Sequence, residues 1–283
     1  MIDLSSWAEA EGDPQRRQLR QAMRLVIRAI VRSKELASTM VMKGGVLLAI
    51  RYNSPRFTTD IDFSTQAKFA ESAVSTLLTT LSTELAAVSA DNEYGLSLRV
   101  QSHEVKPANK ENRTFPTLSI RVGFAQITDR NQIQKLQQGQ AARTVSIDYS
   151  YNEWATGVER QQVEGGELHM YGHLDLIAEK LRSILQQPIR NRSRFQDIYD
   201  VGLLIGDVEF SAADRAAILD KLHSASADRD VPLTARAMRN QAVVELAKKD
   251  YYDALPSLIS AEPVDFEVAY GHVREFFEKL PWQ

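Results

Sequence analysis

The chain contains no cysteine, which excludes disulfides, thiolate metal sites and cysteine nucleophiles. It has no apolar run approaching the length of a bilayer-crossing helix. The opening residues, MIDLSSWAEAEGD, are acidic and lack the basic and apolar regions of a secretory signal. These absences lead to the expectation of a cytoplasmic protein with no membrane partner. Familiar catalytic signatures are missing too. No G-x-S-x-G elbow is present, so serine hydrolase chemistry has no support. His169 and His173 stand four apart, but Gly172 intervenes and no glutamate completes H-E-x-x-H. Gly44-Gly45 fits neither G-x-G-x-x-G nor the G-K-[ST] ending of P-loops. Acidic residues are also missing between Pro14 and Lys34, where seven residues are basic although the net charge of the chain is −3.

Arg16, Arg20, Arg24, Arg28 and Arg32 recur at intervals of four within that stretch. Four residues advance about 400° around a helix, so the row forms a slanted cationic ribbon. A charge run is ordinarily a solvated face. Uninterrupted positive sign over several turns also suits a polyanion, and both readings stand on this feature alone. At 283 residues there is room for one large domain or two modest ones. Asp13-Pro14 provides an N-cap and a first-turn proline for a helix reaching about Ser38, with a short helix over Val46–Tyr52. Thr59–Ser64 reads as a strand and residues 67–89 as a helix. Leu96–Val105, Thr117–Phe124 and Arg143–Tyr151 are further strands, with KPANKENR an exposed basic loop and the glutamine-rich 130–140 a connection. Beyond Val163 the periodicity is helical. Strands clustered ahead of helices argue for an α+β fold, with an N-terminal lobe over 1–162 and a helical lobe over 163–283.

Asp60 and Asp62 are the first candidates for chemistry. Strand side chains alternate, so both carboxylates share one face while Ile61 and Phe63 anchor the other. Clustered carboxylates suit a hard divalent cation. Gly44-Gly45, just upstream, gives phosphate oxygens access to backbone N–H groups where a helix begins. Asp148, in TVSIDYS, shares a strand face with Ser146. It is either a third metal ligand or an exposed strand aspartate. Lys180 lies at the border of the apolar face of LDLIAEKLRSIL. Its ammonium either reaches a phosphate or pairs with Asp197 to clamp two helices.

In order, KGGVLLAIRYNSPRFTTDIDF, SIDYS and LIAEKLRSILQQPIRNRSRFQDIYDVGLL resemble the AbiEii/AbiGii toxin-type nucleotidyltransferases of the DNA polymerase β-like superfamily. The resemblance implies a polymerase β-like lobe with a mixed sheet, followed by the helical lobe. It places Lys43, Gly44, Gly45, Arg56, Thr58 and Lys180 around the nucleotide. Asp60, Asp62 and Asp148 would be ligands of two Mg²⁺ ions, and Asp197 would match the acidic residue of R-x-x-D. Thr58 stands where serine is common, and Val46 where threonine is common. The implied reaction moves a nucleoside monophosphate from an NTP to the 3′ end of tRNA. The chain would act as the toxin of a toxin–antitoxin or phage-defence system, held in check by a cognate antitoxin. The Arg16–Arg32 row would contact the tRNA backbone. Two alternatives remain: a transferase that adenylylates protein side chains, and a non-catalytic RNA-binding module of the same fold.

Overall fold

Residues 2–109, 114–153, 155–259 and 262–282 are described by the structure, a computed structural model. The chain divides into two compact units, residues 1–51 with 58–170, and residues 52–57 with 171–283.

The first unit contains α1 (Leu4–Glu9), α2 (Pro14–Arg32), α3 (Lys34–Thr39), β1 (Val41–Lys43), α4 (Gly44–Tyr52), β2 (Asp60–Ser64) and α5 (Glu71–Ala90). It continues with β3 (Leu96–Lys106), β4 (Thr117–Gln126), α6 (Arg130–Gln137), β5 (Thr144–Ser150), β6 (Val158–Val163) and β7 (Gly166–Tyr171). The strands form one sheet in the order β3-β4-β5-β2-β1-β7-β6. It is mixed: β2 runs parallel to β5 and β1 to β7, while β1–β2, β3–β4 and β4–β5 are antiparallel. One face is apolar, with Val145, Ile147, Leu118, Ile120 and Val122 buried. On this side α2 packs on β5 and α5 on β3. The opposite face of β4 and β5 carries Ser119, Arg121, Ser146 and Asp148.

Local chemistry sets the helix ends. The Asp13 carboxylate accepts from the Gln15 and Arg16 N–H groups and Pro14 opens α2. The expected single helix to Ser38 is two helices, because Ser33 is extended and its hydroxyl accepts from the Leu36 N–H to start α3. Residues 130–137 are helical rather than a plain connection, since Asp129 caps two N–H groups of α6. β7 lies beyond Val163, where helices alone are expected, β6 lies in a stretch given no element, and the first unit runs to residue 170. Lys110–Arg113 of the KPANKENR loop lie outside the described residues. Contrary to the reading of the apolar runs, α5 has the length and mean hydropathy, 1.2, of a membrane span. It is nevertheless built into this unit, with Val74, Leu81, Leu85 and Val88 buried.

The second unit is helical: α7 (His173–Leu185), α8 (Gln187–Arg190), α9 (Phe195–Ile205), α10 (Ala212–Ala227), α11 (Gln241–Lys248), α12 (Tyr251–Ala254) and α13 (Phe266–Glu278). Ser211 and Asp214 form a reciprocal capping box on α10. α7 packs against both α9 and α10.

Candidate active site

The short strand β1 delivers the chain into α4 through Gly44, whose φ of +73° lies in the left-handed region. Only glycine enters that region without steric cost. Space demands it as well: a Cβ there would stand 2.7 Å from Asp62 Cγ and collide with the Asp62 carboxylate oxygen. Gly45 follows, buried in the first turn. The antiparallel register pairs Lys43 with Asp62, so the glycine pair and the second aspartate are fixed side by side by backbone pairing.

Parallel pairing of β2 with β5 sets Asp60 beside Ser146 and Asp62 beside Asp148. Because laterally paired residues face the same way, Asp60, Asp62 and Asp148 converge. All three are half-buried, and each offers an oxygen within 4.8 Å of the others. Two hydroxyls orient this cluster. Thr58 Oγ1 donates to Asp60 Oδ1 at 2.7 Å, and Ser119 Oγ donates to Asp148 Oδ1. Three carboxylates with lone pairs to spare form a hard-oxygen donor set that fits a divalent cation. Ser119 is absent from the sequence reading, because only the β4–β5 register, Ser119 opposite Asp148, brings it there. Lys43 is buried and ion-paired with Glu153, the residue just after the β5 turn.

Arg56, Lys180 and Asp197 belong to the second unit and gather around Asp200. Lys180 Nζ donates to Asp197 Oδ1 at 3.0 Å and to Asp200 Oδ2 at 2.7 Å. Arg56 grips Asp200 through two bonds of 2.8 and 2.9 Å. Lys180 is 4% exposed and Asp200 fully buried. Burial alone would lower the lysine pKa; Asp197 and then Asp200 overcome it and raise it above the usual lysine value. Burial likewise opposes the charge on Asp200, but Lys180 and Arg56 hold its pKa below the ordinary aspartate value. Lys180 thus makes the contact to Asp197 that a clamp between the two helices requires. Arg56 is likewise engaged with a protein carboxylate. Asp200 went unassigned in the sequence, though it lies three residues after Asp197, on the same helical face.

Four arginines of the Arg16–Arg32 row are engaged by acids of the same unit. Arg20 pairs with Glu11 at 3.2 Å, and Arg28 with Glu93 at 2.6 Å and Asp91 at 2.9 Å. Arg32 pairs with Glu84 at 3.1 Å. Arg24 is buried and bonds Glu164, Glu93 and the Tyr94 hydroxyl. Arg20 is thus paired by a nearby acid, and Arg24, Arg28 and Arg32 by acids far along the chain.

The mixed sheet thus sets carboxylates clustered on two adjacent strands beside a glycine-opened helix. The chain belongs to the AbiEii family: a family profile described as "Nucleotidyl transferase AbiEii toxin, Type IV TA system" matches residues 26–272. Its class is thus a toxin nucleotidyltransferase of a type IV toxin–antitoxin system. No curated protein sequence matches it. The fold is similar to that of MenT4, a nucleotidyltransferase toxin from Mycobacterium tuberculosis H37Rv. The TM-score is 0.61 at 17% identity, over 97% of this chain and 87% of that one. Helicobacter pylori JHP933 matches with a TM-score of 0.48 at 16% identity, over 94% of this chain and 93% of that one.

Proposed function

We propose that the protein transfers a nucleoside monophosphate from an NTP to the 3′-terminal hydroxyl of an RNA acceptor, tRNA being the class implied by the family reading, in a Mg²⁺-dependent reaction. The observation that carries this reading is the convergence of Asp60, Asp62 and Asp148 within 4.8 Å, with Gly44 packed against Asp62. These three carboxylates would hold two Mg²⁺ ions, which supply Lewis acidity at the α-phosphate and lower the pKa of the attacking hydroxyl. The Gly44 and Gly45 N–H groups, at the positive end of α4, bind the triphosphate. Thr58 and Ser119 lock the rotamers of Asp60 and Asp148, and Asp148 serves the acceptor hydroxyl. The acceptor hydroxyl releases its proton to solvent as its oxygen bonds to the α-phosphorus and the bond to the departing pyrophosphate breaks. Lys180, Asp197 and Arg56 act by fixing α7 against α9 around Asp200. The antitoxin that the family implies would act in the cytoplasm, where NTP is supplied.

The test is incubation with each labelled triphosphate, Mg²⁺ and total RNA or cell extract. Label on RNA is expected from the wild type, and Asp62→Ala should reduce it to background while the melting temperature holds. Label on protein would move the acceptor to the adenylylating alternative. No transfer from folded wild type with any triphosphate would favour the binding module.

A further inference from the structure

The carboxylate face of the sheet continues past β5 onto β4 and β3. Arg121 pairs with Ser146, which in turn pairs with Asp60. Arg121 therefore shares a face with the three aspartates, and Ser119, two residues before it on the same strand, bonds Asp148 directly. Diagonal neighbours on paired strands lie about 7–8 Å apart between Cα atoms, so the Arg121 guanidinium is one side-chain length from Asp148. Three basic residues lie on this face of β3, β4 and β5. Lys106 pairs with Glu104 at 2.9 Å and Arg99 donates to the Gln137 carbonyl at 2.8 Å. Arg121 is exposed and makes no hydrogen bond or ion pair among the described residues. Around it the face carries Ser119, Ser146 and Thr117 from β4 and β5, Ser102 opposite Arg121 on β3, and Glu104 opposite Ser119, which is itself paired with Lys106.

Strand order fixes which side of the reaction this is. The glycine pair enters from β1, on one side of β2, while β5 and β4 lie on the other. If the triphosphate lies against Gly44 and Gly45, the acceptor approaches over β5 and β4. We propose that Arg121 binds the terminal phosphodiester of a single-stranded RNA acceptor and holds its 3′ hydroxyl toward Asp148. This rests on the orientation given under Proposed function. A guanidinium free of protein carboxylates is the group that meets a phosphate bidentately. Unlike the paired arginines of α2, Arg121 has no carboxylate among the described residues holding it.

The test measures binding of a fluorescent ten-nucleotide RNA with a free 3′ hydroxyl, without NTP. Arg121→Gln should weaken it roughly tenfold or more, as loss of a charge-assisted bond requires, and reduce the salt slope by about one. Placing a neutral methylphosphonate at the last linkage should weaken wild type similarly and leave Arg121→Gln unaffected. The KM for NTP should not move. Unchanged RNA affinity in Arg121→Gln, additive losses in the two changes, or a raised KM for NTP instead would each overturn the proposal, as would a wild type that labels protein and binds no RNA. Asp62→Ala serves as the control: it should lose transfer yet keep RNA affinity, so failure of the transfer reading and failure of this one are separable.

Discussion

Gly44 concentrates two constraints in one residue. Its backbone sits at φ +73° and its missing side chain leaves room for the Asp62 carboxylate. Gly44→Ala should therefore cost about 1–2 kcal/mol from the left-handed backbone alone. The added methyl would also push Asp62 away from Asp60 and Asp148. We expect a lowered urea midpoint and transfer reduced far beyond what that midpoint explains; wild-type transfer by Gly44→Ala would show that the close approach is dispensable. Asp60 and Asp62 were legible in the sequence because a two-residue period places them on one face whatever the rest of the fold does. Ser119 and Glu153 were not, since each meets its partner through a strand register or a turn that no local window contains. Asp200 left a faint trace in D-I-Y-D, but which of its two aspartates meets Lys180 depends on how α9 packs on α7.

At the scale of elements, the pairing of α7 with α9 depends on a buried ionic knot. Removing one member of such a knot leaves uncompensated charge and typically costs 3–5 kcal/mol. Lys180→Ala removes the close cation of Asp197 and leaves Asp200 with Arg56 alone, the two being 5% and 0% exposed. It should lower stability by about that much, read as the shift in urea midpoint, while KM for NTP in the folded protein stays near wild type. The reverse pattern, an unmoved midpoint with lost nucleotide affinity, would return Lys180 to the phosphate. Most helices and the central strands were readable from apolar spacing. The β6–β7 hairpin was not, because β6 is an outer strand with mostly polar residues. Its one local signal is Glu164-Gly165, both at positive φ, the pair that a two-residue hairpin turn requires.

For the whole molecule, the sign of the Asp200 shift sets the acid limit. Its folded pKa lies below its unfolded value, which is about 3.9. The associated stability is fully present above the unfolded value and fades as pH falls through the folded one. Lys180, shifted upward, contributes fully below about pH 10.4 and loses its contribution only in stronger alkali. Urea midpoints measured from pH 6 to 2 should fall steeply below about pH 4, and Asp200→Asn should flatten that limb while starting from lower stability. An Asp200→Asn limb as steep as wild type would assign acid sensitivity elsewhere. Charge at this scale was the least legible property. The row on α2 is basic in sequence, yet its counterions Glu84, Asp91, Glu93 and Glu164 arrive from distant segments.

The parallel pairing of β2 with β5 has a bearing on synthesis. Asp60 and Asp62 emerge from the ribosome early, but Asp148 joins them only after α5, β3, β4 and α6 have been made. A nascent or prematurely terminated product ending before Thr144 lacks one wall of the ion cage. If these three carboxylates form the metal site proposed above, such unfinished chains would be inert.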